Sequence, residues 1–414
     1  MVGMNRASTL PPGSAPRIIA HVDMDAFYVE AELLDKPELR GRKLIVAQPG
    51  GRSVVLSASY EARTDGVRSA MPLSRAMQLS PGATVLPPHM HRYRELSAGI
   101  MSYFDTLTHL KEQLSVDEAF LDLTGSRRRL GSPAQMGEKI RRDIRADFGL
   151  PATVGIADRK FIAKIASTRA KPDGLLLVPP TERLSFLHSL PVTSLWGVGG
   201  KTAQALEQMG IRTVRQLAET PPKTLTARFG VTGDHLHQLA WGHDDRQVQP
   251  HRAEKSIGAE ETFSEDISST AELSRELLRL AHKVASRLRR AELTAGGVSL
   301  KLRYQDFSTL TRSATLVHPS SSAQVLHQHA VTLLEKLGQR PQAVRLIGLR
   351  AERLHDYDGS LQLSFDTRDS GWVDAEKALD AVADKFPHLP VMPASLVPPR
   401  AQREDPREER REEP

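Results

Sequence analysis

The chain has 414 residues, 26% of them charged, and a formal net charge of +6 at pH 7. That length holds two to four domains with ample core, and the positive balance favours polyanionic partners such as nucleic acid. There is no cysteine, which excludes disulfides, thiolate metal sites and a thiol nucleophile and fits the cytoplasm, and no apolar run is long enough to cross a membrane.

Residues 1–16 lack the apolar core of a signal peptide and read as a disordered leader. Arg17–Asp23 is a short apolar strand, and Ala26–Leu34 has helical spacing that stops near Lys36-Pro37. Lys43–Ala47 and Ser53–Ala58 are strands joined by the turn Gln48-Pro49-Gly50-Gly51. Helical patterning returns at Pro72–Gln78 and Arg92–Leu107, and Glu112–Leu123 reads as two strands turning around Asp117-Glu118. Helix Pro133–Phe148, strand Ala152–Ala157, helix Lys160–Ala170 and strand Leu175–Val178 complete a mixed α/β layer on one sheet.

From Pro180 to about Gly242 the pattern is helical with short connections, and Asp244–Glu254 reads as a polar linker. Then come strand Lys255–Phe263, helix Ala271–Glu292, strands Gly297–Tyr304 and Thr309–Val317, helix Ser321–Leu337 and strand Ala343–Leu354. That is βαββαβ, the ferredoxin-like order. An amphipathic helix is expected at Val373–Phe386, and the charged end PPRAQREDPREERREEP reads as disordered.

Asp23 ends one strand, and Asp117 and Glu118 sit in the turn between two others. Carboxylates at the edge of an apolar sheet are costly unless a cation lies between them. Mg²⁺ suits a few carboxylates plus substrate phosphates, and two such ions hold the attacking and leaving oxygens of a phosphoryl displacement. Tyr60 and Arg63, in SASYEAR from Ser57 onward, fall on one side of a helical turn and offer a hydroxyl and a guanidinium to phosphate oxygens. Gly200-Lys201-Thr202 ends like a P-loop, but Leu195 stands where such a loop needs glycine. The pairs His89/His91, His235/His237 and His327/His329 have no cysteine partners and do not read as a zinc site.

HVDMDAFYVEAE, SASYEARTDGVRSAMP, SVDEAFLDLTG, VGIADRKFIAKIASTRAKPDG, LWGVGGKTAQALEQMGI and KSIG occur in this order over residues 17–355. Together they resemble the DinB-type, polymerase IV-like branch of the Y-family translesion DNA polymerases. The resemblance implies an α+β multidomain, right-hand polymerase without a proofreading domain. Its parts would be palm (17–26 and 90–180), short fingers (27–89), helical thumb with a helix–hairpin–helix (181–243), linker (244–256), βαββαβ little finger (257–355) and tail (356–414). It implies low-fidelity synthesis past damaged template bases by two-metal-ion nucleotidyl transfer.

Carried onto this sequence, Asp23, Asp117, Glu118 and the backbone carbonyl near Met24 bind two Mg²⁺, with Mn²⁺ as the alternative ion. Asp25 is expected to be structural, and Lys164 structural or a DNA contact. Phe27, Tyr28, Ser57, Tyr60, Arg63 and Lys171 bind the nucleotide, with Tyr60, Arg63 and Lys171 holding the incoming triphosphate. Tyr28 is the steric gate against a 2′-hydroxyl, with Phe27 beside it as the better core residue. Gly197, Gly199 and Lys201 form the hairpin that meets a DNA phosphate. Lys301, Arg303, Arg312, Arg345, Arg350 and Arg353 recur on the strands of the terminal unit, which suits a sheet lying along a duplex backbone. Gln362, Leu363 and Phe365 resemble the sliding-clamp peptide, without the extra Leu that usually precedes the Phe. The expected partners are primer–template DNA, deoxyribonucleoside triphosphates and the clamp, with no membrane, and the protein is expected to be a cytoplasmic monomer.

Two rivals stand against this. An inactive DNA-binding accessory protein on the same scaffold would lack the acidic residues. A nucleotidyl-transfer enzyme for small molecules would need neither the hairpin nor the basic terminal unit.

Overall fold

The computed structural model describes residues 16–251, 253–338, 340–357, 368–386 and 393–397. The chain forms two compact units that divide at residues 252/253. No helix among the described residues is long and apolar enough to cross a membrane.

The first unit runs β1 (Ile19–Met24), α1 (Phe27–Leu33), β2 (Leu44–Val46), β3 (Ser57–Ala58), α2 (Tyr60–Thr64), α3 (Leu73–Leu79), β4 (Thr84–Leu86) and α4 (Met90–Leu107). It continues β5 (Lys111–Gln113), β6 (Glu118–Asp122), α5 (Arg127–Leu130), α6 (Pro133–Phe148), β7 (Ala152–Ala157), α7 (Lys160–Ala170) and β8 (Leu175–Leu177). Five short helices follow: α8 (Arg183–His188), α9 (Gly200–Gln208), α10 (Val214–Glu219), α11 (Pro222–Phe229) and α12 (Val231–Ala240).

Its main sheet has the order β5-β6-β1-β7-β8. β1 lies at the centre, antiparallel to both β6 and β7. Because side chains alternate along a strand, Ala20, Val22 and Met24 enter the core built with α4 and α6, while Ile19 faces the core built with α7. α7 sits so close to β7 that a Cβ on Gly155 would lie 2.1 Å from the Ala163 carbonyl oxygen, so only glycine fits there. α6 keeps its expected limits because Ser132 and Gln135 form a capping box around Pro133 and Gly149 ends the helix at φ 68°.

The segment between α1 and α4 has its own small core of Ile45, Val55, Ala58, Ala62 and Ala76. Its sheet has the order β3-β2-β4. The expected strand over Ser53–Ala58 shrinks to Ser57–Ala58, because Val55 exchanges backbone hydrogen bonds with Ala70 and Met71 instead. β4, which pairs in parallel with β2, was not expected from the sequence.

α8 to α12 share one core with α7, in which Leu206, Leu217, Leu225 and Leu236 join Phe161 and Phe120. The stretch expected as a free linker begins as a packed strap. Asp244 is buried and ion-paired to Arg246, Val248 is buried, and the Gln249 N–H donates to Glu112. Glu112 in turn pairs with the buried Lys160, so one carboxylate pins both the strap and α7 to the edge strand β5.

The second unit contains β9 (Ser256–Ile267), α13 (Thr270–Arg290), β10 (Leu293–Tyr304), β11 (Thr309–Ser320), α14 (Ala323–Glu335) and β12 (Val344–Asp356). This is the βαββαβ order, with an antiparallel sheet β11-β10-β12-β9. Leu273, Leu277, Leu280, Val284 and Leu288 of α13 recur at helical spacing and pack on Val298, Leu300 and Leu302 of β10.

α15 (Arg368–Lys385) packs on α13 and α14, with Val373 and Glu376 buried. Glu376 and Asp380 meet Arg289, while Trp372, Leu379, Val382 and Phe386 stay exposed. This reverses the ordinary expectation for an amphipathic helix, because Arg289 is buried there and must be neutralised. Gln362, Leu363 and Phe365 lie outside the described residues.

Candidate active site

Asp23 and Glu118 are direct partners in the β1–β6 register, so both side chains leave the same face of the sheet. His21, two residues before Asp23, shares that face. One ligand atom from each of His21, Asp23 and Glu118 lies within 4.8 Å of the other two. Lysines occupy the carboxylates: Lys171 Nζ donates to Asp23 Oδ1 at 2.6 Å, and Lys164 Nζ pairs with Glu118 Oε2. His21 is fully buried, with Nδ1 at 2.7 Å from Ser167 Oγ and Nε2 at 3.3 Å from Glu118.

The three groups titrate differently. Burial, against a smaller opposing effect of Lys171, raises Asp23 to about 6. Burial also pushes Glu118 upward, but hydrogen bonds from His21 and Lys164 outweigh it and bring the carboxyl down to about 2. Burial lowers His21 to about 4, so the ring is neutral near pH 7.

Asp117 is not one of these three groups, but it stands beside them. Asp117 lies in the bend just before β6, and its carboxylate accepts from Ser115 Oγ at 2.5 Å. It stays close enough for its charge to raise both Asp23 and Tyr28. The Met24 N–H donates to the Asp117 carbonyl at 3.0 Å, which fixes the end of β1 against the turn. Met24 itself is 2% exposed.

Asp25 is 1% exposed and fully engaged. It accepts from Tyr60 Oη at 3.0 Å, Thr153 Oγ1 at 2.9 Å and the Asp173 N–H at 2.6 Å. It thereby ties β1 to α2 and to the Lys171-Pro172-Asp173 turn. The Tyr60 hydroxyl spends its hydrogen on Asp25 and must release it before donating to a phosphate. The Arg63 guanidinium lies 5.1 Å over the Tyr60 ring, and its Nε donates to the Ala58 carbonyl at 2.9 Å. Ser57 is 5% exposed on β3.

Tyr28 and Phe27 part company at the start of α1. Phe27 is buried in the core, so its ring is withdrawn from any nucleotide. Tyr28 is half-buried and stacks on Tyr93 of α4, with centroids 4.4 Å apart and planes at 24°. Sequence reasoning missed Tyr93, Glu32 and His89 here. The one signal was Glu32 itself, an acid one helical turn after Tyr28 in the run Phe27–Leu33.

In the hairpin before α9, Gly197 takes φ 97°, and a Cβ on Gly197 or Gly199 would meet nothing within 4 Å. The backbone there is open to a phosphate, with exposed Lys201 next to it. Trp196 leans on Phe120 of β6 at 6.1 Å and carries the Arg246 guanidinium at 4.9 Å.

In the second unit, the register separates the basic residues into two faces. Gly348 pairs with Lys301 and Ser299 with Arg350, which puts Lys301 and Arg350 on the face away from the helices. Arg303 lies on the same face, two residues beyond Lys301. Arg312 pairs with Leu300, a core residue, so it leaves from the helix side of the edge strand β11. Arg345 stands at a register shift of β12 and covers Phe307 at 4.6 Å, while Arg353 has φ 52° and donates to Thr315 Oγ1 at 2.6 Å. Lys301 is partly neutralised by Glu260 at 2.7 Å.

Known proteins match this arrangement. The impB/mucB/samB family matches residues 22–168, its C-terminal domain matches 254–365, and the IMS family HHH motif matches 180–211. DNA polymerase IV of Desulfatibacillum aliphaticivorans is 42% identical over 92% of this chain and 97% of its own length. DNA polymerase IV of Alkalilimnicola ehrlichii is 44% identical over 82% and 95%. Among solved structures, a Y-family DNA polymerase chimera superimposes with a TM-score of 0.75 at 26% identity, covering 82% of this chain and 99% of its own. The insertion ternary complex of Dbh DNA polymerase gives 0.59 at 25% identity, covering 81% and 98%. The chain belongs to the impB/mucB/samB family and is a DinB-type Y-family translesion DNA polymerase.

Proposed function

We propose that nucleotide addition takes place on the β1–β6 face, with Asp23, Glu118 and, from the bend before β6, Asp117 as the ligands of two Mg²⁺. The observation that carries this is the Asp23–Glu118 register pair, with a buried carboxyl raised to about 6 even beside a lysine. Such a carboxylate lacks positive charge, and its oxygen donors suit a hard divalent cation, Mg²⁺ first and Mn²⁺ as the alternative. When bound, the ions supply the neutralising charge and the acidified 3′-hydroxyl of an in-line displacement.

The residues do the positioning. Lys171 and Arg63 lie where they can turn from their present partners to triphosphate oxygens. Tyr60, through Asp25, steadies the Lys171 turn, and it reaches the triphosphate only by giving up that bond. Tyr28 presents a ring edge to the incoming sugar and excludes a 2′-hydroxyl. The Gly197–Lys201 hairpin and the open face carrying Lys301, Arg303 and Arg350 take duplex phosphates without reading sequence. Residues 17–26 and 90–180 then act as palm, 27–89 as fingers, 181–243 as thumb and 257–355 as little finger.

Gln362, Leu363 and Phe365 would tether the enzyme, as a monomer in the cytoplasm, to the sliding clamp. The test of the central reading is single-nucleotide primer extension beside a DNA-binding measurement on Asp23→Asn and Glu118→Gln. Loss of extension with retained DNA binding supports it, and near wild-type extension overturns it.

A further inference from the structure

Glu32 is a carboxylate with 3% exposure, one helical turn after Tyr28 on α1. A buried acid is costly unless it is fully satisfied. Here Tyr93 Oη donates to Oε1 at 2.6 Å, His89 Nδ1 lies 2.8 Å from the same oxygen, and Lys36 Nζ donates to Oε2 at 3.2 Å. Burial pushes this carboxyl upward, but the Tyr93, His89 and Lys36 hydrogen bonds outweigh it and hold the group below its ordinary value, so it stays ionised. An apolar residue would fill the same space at lower cost.

The acid grips one end of the ring on which Tyr28 rests. Tyr93 is fully buried, stacks against Tyr28 at 4.4 Å and meets Phe27 at 6.3 Å and 59°. Tyr93 cannot slide or tilt while its hydroxyl is held by Glu32. Tyr28, in turn, cannot retreat from the sugar while Tyr93 stays behind it. His89 directly precedes α4, so the same carboxylate also joins the start of α4 to α1.

We propose that Glu32, acting through Tyr93, is a positioning residue for sugar discrimination. It holds rigid the floor against which Tyr28 rejects a ribonucleotide. The proposal rests on the reading of Tyr28 as the gate, and the experiment separates the two.

The measurement is kcat/KM for matched deoxyribo- and ribonucleotides on one primer–template with the full chain, together with Tm. The variants are Tyr28→Ala, Glu32→Leu, Glu32→Gln and Tyr93→Phe. Glu32→Leu and Tyr93→Phe should each lower the deoxyribo-to-ribo ratio about three- to tenfold, part of the overpacking penalty that a rigid ring imposes. Glu32→Gln, whose amide oxygen still accepts from Tyr93, should restore most of the ratio. A purely structural Glu32 would lower Tm and both rates together and leave the ratio unmoved. If Tyr28→Ala collapses the ratio while Glu32→Leu and Tyr93→Phe stay within twofold of wild type, the positioning role is overturned and the gate stands. If Tyr28→Ala leaves the ratio unchanged, the gate reading fails and the proposal with it. Should Glu32→Leu not fold, Tyr93→Phe, which removes a single hydroxyl, decides.

Discussion

Asp23 and Glu118 face each other across β1 and β6, yet their carboxyls are displaced in opposite directions, to about 6 and about 2. Native Asp23 keeps its proton up to about 6, against 3.8 for the unfolded group. Its contribution to stability is complete below the unfolded value and is lost as pH rises through about 6. Glu118 has the reverse sign: its contribution is present above 4.5 and is lost as pH falls toward about 2. At pH 7.5, in chelator, Asp23→Asn should therefore raise Tm or leave it unchanged, while Glu118→Gln should lower it. Thermal unfolding of both variants checks this, and a fall of several degrees in Asp23→Asn would show that Lys171 outweighs burial.

The same shift makes ion binding pH-dependent. Below about pH 6 a cation must displace a proton from Asp23. Saturating Mg²⁺ should raise the wild-type Tm more at pH 8 than at pH 5. Equal Mg²⁺-induced shifts at the two values would remove Asp23 from the ligand set. Asp117→Asn should abolish nucleotide addition and leave primer–template affinity intact, and near wild-type primer extension by this variant would remove Asp117, now bonded to Ser115, from the ligand set.

Much of the fold was legible because local signals agreed with tertiary ones. α6, β7 and α7 begin and end at the expected residues, where Ser132-Pro133, Gly149 and Pro151 punctuate the chain. β4 was not legible, since its three residues are defined by pairing with β2. Asp23 and Glu118 could be found from their strand ends. The engagement of Asp117 by Ser115 depends on which way a turn residue projects, and the sequence does not carry that. The two faces of the terminal sheet could not be separated either, because the direction in which Arg312 points is set by its partner Leu300.

That register has a measurable consequence. Arg303 and Arg350 leave the open face, whereas Arg312 leaves the helix side. Arg303→Ala plus Arg350→Ala should weaken DNA binding on any sequence and reduce the log–log salt slope by about 0.9 for each phosphate no longer neutralised. Arg312→Ala should leave the slope unchanged. A larger effect from Arg312 than from the pair would mean that the open face is not the one that meets DNA.

Deleting residues 361–366 should lower processivity only when the clamp is present and leave distributive synthesis intact. Clamp stimulation equal to that of the full chain would show that the peptide lacking its extra Leu is not the tether.

α15 turns Glu376 and Asp380 inward beside Val373 and leaves Trp372, Leu379 and Val382 outside, and its hold on the second unit can be measured. Glu376 is 2% exposed, pairs with Arg289 and accepts from the Ala323 N–H at 2.9 Å, so one carboxylate neutralises a buried guanidinium and caps α14. Breaking a buried pair from one side leaves a charge without its partner and costs about 3–5 kcal/mol. Arg289 retains Asp380 and the Ser321 carbonyl, which places Glu376→Ala at the lower end, about 3 kcal/mol. The double variant Glu376→Ala, Arg289→Met removes the stranded charge and should recover part of the loss. Hydrogen exchange reads this directly, as lost amide protection over 372–386 and the first turn of α14 in the single variant. Unchanged protection in Glu376→Ala would mean that α15 is held by Val373 and Asp380 alone.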